Sequence, residues 1–296
     1  MSTMVPHDLN VDLHMHSTAS DGTVAPGDLV DRAASNGLQI MALTDHDTLD
    51  GLPLARQAAA DHGIRFMNGV EISVSWGGET LHMVGLDFDA DHPGLVAQLK
   101  QVSVSRFERG RAMDAGLVAS GLPSVFDEAM AYAGNPNLLG RAHFARALVA
   151  RGVCSHMQAV FDRYLTPGHP GYVAHEWTSL AKAMALVHEA GGFTVLAHPA
   201  RYRINATAHW ALLQEFMSLG GRAIEVATGS HSQDETRRYQ RLSVEMGLMA
   251  SRGSDFHCPK ESRYDVGQAP VLPCGTWPVW AGYADRFGLT AGGAGH

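Results

Sequence analysis

The chain has 296 residues, which is enough to bury a full core as one large α/β domain or a domain carrying an insertion. No apolar run approaches the roughly 20 residues that span a bilayer. The start lacks a basic stretch followed by an apolar one, so neither a membrane nor a signal peptide is expected, and the cytoplasm is the expected location. A formal charge of −8 disfavours duplex nucleic acid held by a broad basic surface, although bound divalent cations reverse the sign locally.

The first expected strand is Val11-Asp12-Leu13-His14-Met15-His16, followed by a turn at Asp21-Gly22. Residues two apart in a strand point the same way, so His14 and His16 present two imidazoles on one side while Leu13 and Met15 face the packed side. Pro26 to Gly37 reads as a helix, with Pro26 in its first turn and Gly37 at its end. Residues 38–44 form a short apolar strand ending at Asp45-His46-Asp47, and a helix covers Leu49 to His62. Three further strands are expected: Ile64–Met67, Val70–Val74 and Thr80–Phe88, the last carrying His82.

From about His92 to Tyr172 the alternation gives way to an arginine-rich, helix-rich stretch, broken at Gly134-Asn135-Pro136-Asn137 and closed by Thr166-Pro167-Gly168-His169-Pro170-Gly171. Strand–helix alternation then resumes. Helix Ser179–Ala190 leads to a strand over 193–197 that ends at His198-Pro199, then helix Ala208–Leu219 and strand Ala223–Val226. Helix Gln233–Met246 and strand Leu248–Arg252 follow, ending at Asp255-Phe256-His257. The expected organisation is a discontinuous catalytic barrel over residues 8–91 and 173–280, an inserted helical cap over 92–172, and a Gly-rich, loosely held tail over 281–296.

Repeated strand–helix units predict a parallel sheet with helices outside, and in such folds ligands bind at the C-terminal ends of the strands. His14, His16, Asp45, His46, His198, Asp255 and His257 all fall at or just past such ends. Each alone reads equally well as a cap or a satisfied core residue. Their shared placement points to one composite site.

Imidazoles and carboxylates without thiolates favour Mn, Fe or Zn. Cys154, Cys258 and Cys274 form neither a C-x-x-C pair nor a disulfide framework. The inventory of His14, His16, Asp21, His46, Glu71, His82, His198, Asp255 and His257 is too large for one ion, so two or three are expected, with one carboxylate bridging. No G-x-S-x-G elbow or P-loop is present.

These motifs, His14-x-His16 with Asp21-Gly22, Thr44-Asp45-His46, Gly69-Val70-Glu71, Ala197-His198-Pro199 and Ser254-Asp255-Phe256-His257, resemble the polymerase and histidinol phosphatase (PHP) family. The resemblance implies an α/β fold, a distorted (β/α)7 barrel of the PHP type with an inserted helical lid, and a two- or three-metal centre. It places His14, His16, Glu71 and Asp255 on one metal and extends Glu71 to a second with His82 and His198. Asp21, His46 and His257 would then hold a third. Many members carry histidine where Asp21 stands, and the Asp-Gly form resembles a nucleotide-directed branch.

The segment Leu139 to Leu148 and the stretch from Phe161 to Val173 are similar to the lid of family members that remove the 3'-phosphate from nucleoside 3',5'-bisphosphates. That similarity implies substrate-phosphate contacts from Arg141 and His143, and three Mn ions per chain, with Zn or Fe as alternatives. Relatives in the same branch are 5'-to-3' exonucleases on short 5'-phosphorylated RNA, and a non-catalytic binding module is the third reading. Asp255 is the expected catalytic carboxylate. His231 is either a substrate contact and proton donor or a neighbour of a helix N-cap at Ser232. Arg201 and Arg203 either contact phosphate or line the rim, and Asp45 and Asp47 read as groups that orient ligands. His7, His62, His92, His156, His169, His175, His188, His209 and His296 read as structural. Oligomeric state is not legible.

Overall fold

A computed structural model describes residues 9–133, 139–287 and 289. The expected break at Gly134-Asn135-Pro136-Asn137, His7, His296 and most of the expected tail lie outside the described residues. One eight-stranded sheet is formed by β1 (Val11–Asp12), β2 (Ile40–Leu43), β3 (Arg65–Trp76), β4 (Glu79–Leu86), β5 (Thr178–Ser179), β6 (Phe193–Leu196), β7 (Ala223–Thr228) and β8 (Met249–Gly253). The order is β1-β2-β3-β4-β6-β7-β8, with β5 attached to the outer end of β3. All pairs on the path are parallel except β3·β4 and β4·β6.

The end of the path returns to its start. Leu13 N donates to Arg252 O at 3.0 Å and His16 N to Phe256 O at 2.8 Å, closing the sheet into a distorted seven-stranded barrel. β2 and β6 are buried along their whole length, as expected for strands covered on both faces.

Helices α1 (Pro26–Ser35) and α2 (Leu52–Asp61) begin with proline in the first turn, where the missing N–H costs nothing. Between β4 and β5 come α3 (Pro93–Ala119), α4 (Phe126–Ala133), α5 (Arg141–Ala150) and α6 (Met157–Val160), the last running into a π-helical turn over Phe161–Leu165. After β5, α7 (Leu180–Glu189) is capped by Ser179 and α8 (Ala206–Ser218) by Asn205. α9 (Gln233–Met246) opens with a reciprocal Ser232–Glu235 capping box, and α10 (Val279–Gly282) closes the described chain.

Two apolar groups are buried separately. One fills the barrel and its outer helices; the other gathers Met113, Leu117, Phe144, Leu148, Val160 and Leu165. α3 joins them, since Leu95 and Leu99 belong to the first and Met113 and Leu117 to the second. This helix fixes the inserted segment over the barrel mouth.

Two expectations change. Ile64–Met67 and Val70–Val74 are one continuous strand, because Gly69 is not a turn. A Cβ there would stand 2.6 Å from Leu43 O and 2.7 Å from Thr44 Cγ2, so the glycine permits close strand approach. The first strand is also shorter than its alternation implies. After Asp12 side chains interrupt the main-chain ladder: Met15 N donates to Thr44 Oγ1 and His14 N to Asp12 Oδ1, between the main-chain bonds of Leu13 and His16. Leu13 and Met15 nevertheless join the buried apolar group of the barrel.

Candidate active site

The nine expected ligand residues converge at the C-terminal mouth of the parallel strands. His14 and His16 extend from β1, His46 follows β2, Glu71 sits within β3, His198 follows β6, and Asp255 and His257 follow β8. β4 runs the opposite way, so its first half lies at the mouth; His82 there stands opposite Ser73. Asp21 reaches in from the loop between β1 and α1. Only glycine at 253 allows this closure, since a Cβ would lie 2.3 Å from His14 Cβ.

Glu71 is the hub. Its Oε2 lies 3.3 Å from His14 Nε2, 3.3 Å from His16 Nε2 and 3.0 Å from His46 Nδ1. Its Oε1 lies 3.0 Å from His82 Nδ1 and 2.8 Å from His198 Nε2. Asp255 Oδ1 is 3.4 Å from His16 Nε2 and 3.6 Å from His257 Nδ1, while Asp21 Oδ1 is 3.3 Å from His257 Nε2. The donor atoms fall into overlapping groups: His16, Asp21, His46 and His257; His14, Glu71 and His198; His14, His16 and Asp255; His46, Glu71 and His82.

These atoms are close without being satisfied. His14 Nε2, His16 Nε2, His46 Nδ1, Asp21 Oδ1, Glu71 Oε2 and Asp255 Oδ1 are buried and have no hydrogen-bond partner among the described residues. Buried polar atoms left unpaired each cost free energy, and a convergent set facing one space is the pattern of cation ligands. The donor types, imidazole and carboxylate, suit divalent Mn, Fe or Zn, so the residues fit metals.

The electrostatics are correspondingly divided. Burial alone would raise Glu71, but His46, His82 and His14 outweigh it and hold the carboxyl well below its usual range. Burial would likewise raise Asp255, and His14, His16 and His257 hold it well down. Burial lowers His198, helped by Arg201, to about 4, whereas His16 is lifted against burial by Asp255 and Glu71 to about 10.

Other carboxylates orient the ligands. Glu225 Oε1 lies 2.7 Å from His14 Nδ1, and its other oxygen accepts from His198 N. This fixes which nitrogen of His14 faces the cluster. Asp45 accepts from Ser17 N, Ser17 Oγ and Ser20 Oγ, bracing the loop that leads to Asp21. Asp47 accepts from Ser73 N, Ser73 Oγ and Arg106. Asp47, His198 and Asp255 all have positive φ, a strain that these surrounding bonds hold in place at the site.

The inserted helices roof the mouth. His143 is fully buried in the first turn of α5, where its Nδ1 accepts from Gly140 N at 3.0 Å and leaves Nε2 without a partner among the described residues. Burial, with Arg146 and Arg106 nearby, lowers His143 to about 4 against the pull of Asp21, so it is neutral at pH 7. Arg141 lies over the Phe161 ring and donates to Leu165 O at 3.3 Å. Arg146 binds Glu261 through two nitrogens, at 3.2 and 2.9 Å, and Asp21 O at 2.6 Å, tying α5 to the loops that carry Asp21 and His257. Arg201 touches the cluster directly, with Nη1 3.0 Å from Asp255 Oδ2.

His231 is not brought among the ligands. Its Nδ1 lies 3.1 Å from Val226 O, and its Nε2 accepts from Ala200 N at 3.4 Å. With the ring stacked on Tyr239, it braces the turn after His198 and offers neither nitrogen to a substrate. The N-cap at Ser232 is present.

Several histidines read as structural take such places. His92 and His156 cap helices, His62 pairs with Asp31 at the surface, and His209 meets Tyr239 Oη. Glu225 and Arg106 were not singled out from the sequence for the site. Glu225 carries a signal, a lone carboxylate inside the otherwise apolar Ala223-Ile224-Glu225-Val226. Arg106 carries none, being one of many arginines in the inserted segment.

The model of the PHP domain matches residues 12–228. The chain is 48% identical over 271 residues to a 3',5'-nucleoside bisphosphate phosphatase of Chromobacterium violaceum, covering 92% of this chain and 95% of that protein. It is 39% identical over 271 residues to a 5'-3' exoribonuclease of Haemophilus influenzae, covering 91% and 97%. A solved amidohydrolase structure from Chromobacterium violaceum, with bound sulfate and no metal, superposes with a TM-score of 0.90 at 47% identity over 94% of this chain and 96% of that one.

Proposed function

The chain belongs to the PHP domain family, and from that premise we propose that it is a metal-dependent phosphomonoesterase removing the 3'-phosphate of nucleoside 3',5'-bisphosphates. The products are a nucleoside 5'-phosphate and inorganic phosphate. The observation that carries the reading is the junction of two parts, a histidine–carboxylate cluster open at a barrel mouth and a roof bearing Arg141 and His143. The kinship with the bisphosphate phosphatase supports the substrate.

His14, His16, Glu71 and Asp255 would hold one divalent ion. Glu71 would extend through Oε1 to a second with His82 and His198, and Asp21, His46 and His257 would hold a third. The two-sided contacts of Glu71 support its bridging part. Bound there, Mn²⁺ ions would supply Lewis acidity toward phosphoryl oxygens and activation of water.

The chain's own groups set the rest. Arg141 presents a guanidinium to the substrate phosphate, for which its planar fork is suited. His143, neutral and with Nε2–H free, donates to a phosphoryl oxygen without adding charge. Asp255, held ionised, takes up a proton from the attacking water and passes it to the leaving 3'-oxygen as the P–O3' bond breaks, while Arg201 steadies its second oxygen. His231 holds the turn that carries His198.

Purified protein supplied with Mn²⁺ should release phosphate from adenosine 3',5'-bisphosphate far faster than from 5'-AMP or histidinol phosphate. Equal rates on all three would remove the substrate assignment. The exoribonuclease kinship supports a second reading, in which the same P–O3' bond breaks in a short 5'-phosphorylated RNA. Release of mononucleotides from a 5'-phosphorylated trinucleotide at a rate matching the bisphosphate would favour it.

A further inference from the structure

Histidines that ligate metals are commonly fixed through the ring nitrogen that faces away from the ion. Two of the candidate ligands follow that rule: His14 Nδ1 meets Glu225 Oε1 at 2.7 Å, and His257 Nδ1 meets Asp255 O at 2.9 Å. His82 and His198 do not. These are the two imidazoles on Glu71 Oε1, and His82 Nδ1 stands 3.3 Å from His198 Nε2. His198 Nδ1 is buried without a partner among the described residues, and the His82 ring bonds there only within the cluster. Whatever spaces this pair must act through the main chain.

The main chain carries such a device. β4 and β6 pair antiparallel as far as Met83 opposite Leu196, so His82 and Ala197 are the next opposed residues. In an antiparallel ladder, opposed residues of the hydrogen-bonded kind exchange two bonds. One is present, Ala197 N donating to His82 O at 3.3 Å. In place of the other stands the Tyr202 hydroxyl, which accepts from His82 N at 3.4 Å. The same oxygen lies 2.5 Å from Ala197 O and 2.9 Å from His82 O, so its single proton is offered to two carbonyls. On its other edge His82 pairs regularly, opposite Ser73. Beyond Ala197 the chain leaves the ladder through His198, at φ 24°, and the short turn Pro199–Arg201 brings Tyr202 back into the gap.

We propose that Tyr202 is a positioning residue for the His82–His198 pair: its hydroxyl, wedged between the ends of β4 and β6, sets the spacing of the two imidazoles that face Glu71 Oε1. The proposal rests on the ligand assignment above, in which Glu71, His82 and His198 share one divalent ion. The hydroxyl bonds no candidate ligand side chain, so it acts only through the two strands. Bonds from imidazole to a metal tolerate little error in distance, and a change in strand spacing is therefore read as affinity. The effect is confined to this ion. His14, His16, Asp21, His46, Asp255 and His257 are carried by other strands and loops.

The test is Tyr202→Phe, which keeps the ring and removes the wedge. Metal-free wild type and variant are titrated with Mn²⁺, and free Mn²⁺ is followed by electron paramagnetic resonance. One Mn²⁺ equivalent per chain should bind about 10- to 100-fold more weakly in the variant, and the rest as in wild type. The decisive arm repeats the substitution in a His82→Gln background, where no pair remains to be spaced and Mn²⁺ affinity should fall no further. A tyrosine that serves packing alone would lower the melting temperature of the metal-free protein and leave Mn²⁺ binding unchanged. That result overturns the proposal, as does an equal loss of affinity in both backgrounds. Wild type that takes up no Mn²⁺ would remove the ligand assignment and the proposal with it. Because the readout is metal binding, failure of the bisphosphate assignment alone leaves the Tyr202 result standing.

Discussion

Around Glu71 the barrel mouth collects carboxylates and imidazoles with several buried atoms unpaired among the described residues, whereas under the roof Arg106, Arg109 and Arg141 collect guanidiniums, of which Arg106 pairs with Asp47. Each region is costly as a folded protein alone, and the costs have opposite sign. The mouth is suited to cations and the roof to an anion. A substrate bearing phosphoryl oxygens meets both needs at their border, where Arg201 touches Asp255 and Arg146 anchors α5 to the Asp21 loop.

The comparison breaks first if the mouth is not a metal site. Glu71→Gln keeps shape and removes the charge shared by five histidines, so metal content should collapse and phosphate release should fall by more than about 10³-fold. Elemental analysis of the purified variant reads the first and a phosphate assay the second. Normal metal content would refute the hub role of this carboxylate.

The roof should fail differently. Arg141→Met is expected to lower kcat/KM for the bisphosphate by about 100-fold while leaving metal content unchanged, since it touches no ligand residue. Loss of metal in this variant would show that the two regions are not separable. Between these cases lies Glu225→Gln. It leaves all nine ligands in place but weakens the hold on His14 Nδ1, and metal affinity measured by chelator competition should drop by about 10-fold.

The barrel was legible because its chemistry obeys a positional rule: polar residues at strand ends stand out against apolar strands, as at Thr44-Asp45-His46 and Ala197-His198. The same contrast hid Glu225, which sits inside β7 where one carboxylate reads as an ordinary interruption. Gly69 misled for a related reason, because a glycine needed for close packing has the same letter as a glycine that turns. In the roof the contrast is missing altogether. α3 mixes apolar and charged residues along its 27 positions, and nothing local separates Arg109, half-buried over Trp177, from an arginine in solvent. That distinction is made by tertiary contacts with a segment about 70 residues away.

His143 gives the finest test of the division, because it is a titratable group of the roof facing a carboxylate of the mouth. Its pKa is lowered to about 4 by burial, with Arg146 and Arg106 opposing the proton and Asp21 favouring it. In the unfolded chain the ordinary value is about 6.5. Between these values the unfolded chain binds a proton that the folded protein refuses, so stability must fall as pH drops below about 6.5 and level off near 4. Going from pH 6.5 to 5.5 should cost about 1 kcal/mol from this residue. His198, also lowered by burial to about 4, contributes over the same range, so the quantity to measure is a difference. Urea unfolding of wild type and His143→Gln, which retains an acceptor for Gly140 N, should give curves that diverge with acid, the variant losing less. Parallel curves would mean that His143 becomes protonated in the folded protein as readily as in the unfolded chain. In that state its Nδ1 could not accept from Gly140, and the start of α5, with Arg141 beside it, would have to be held by some other bond.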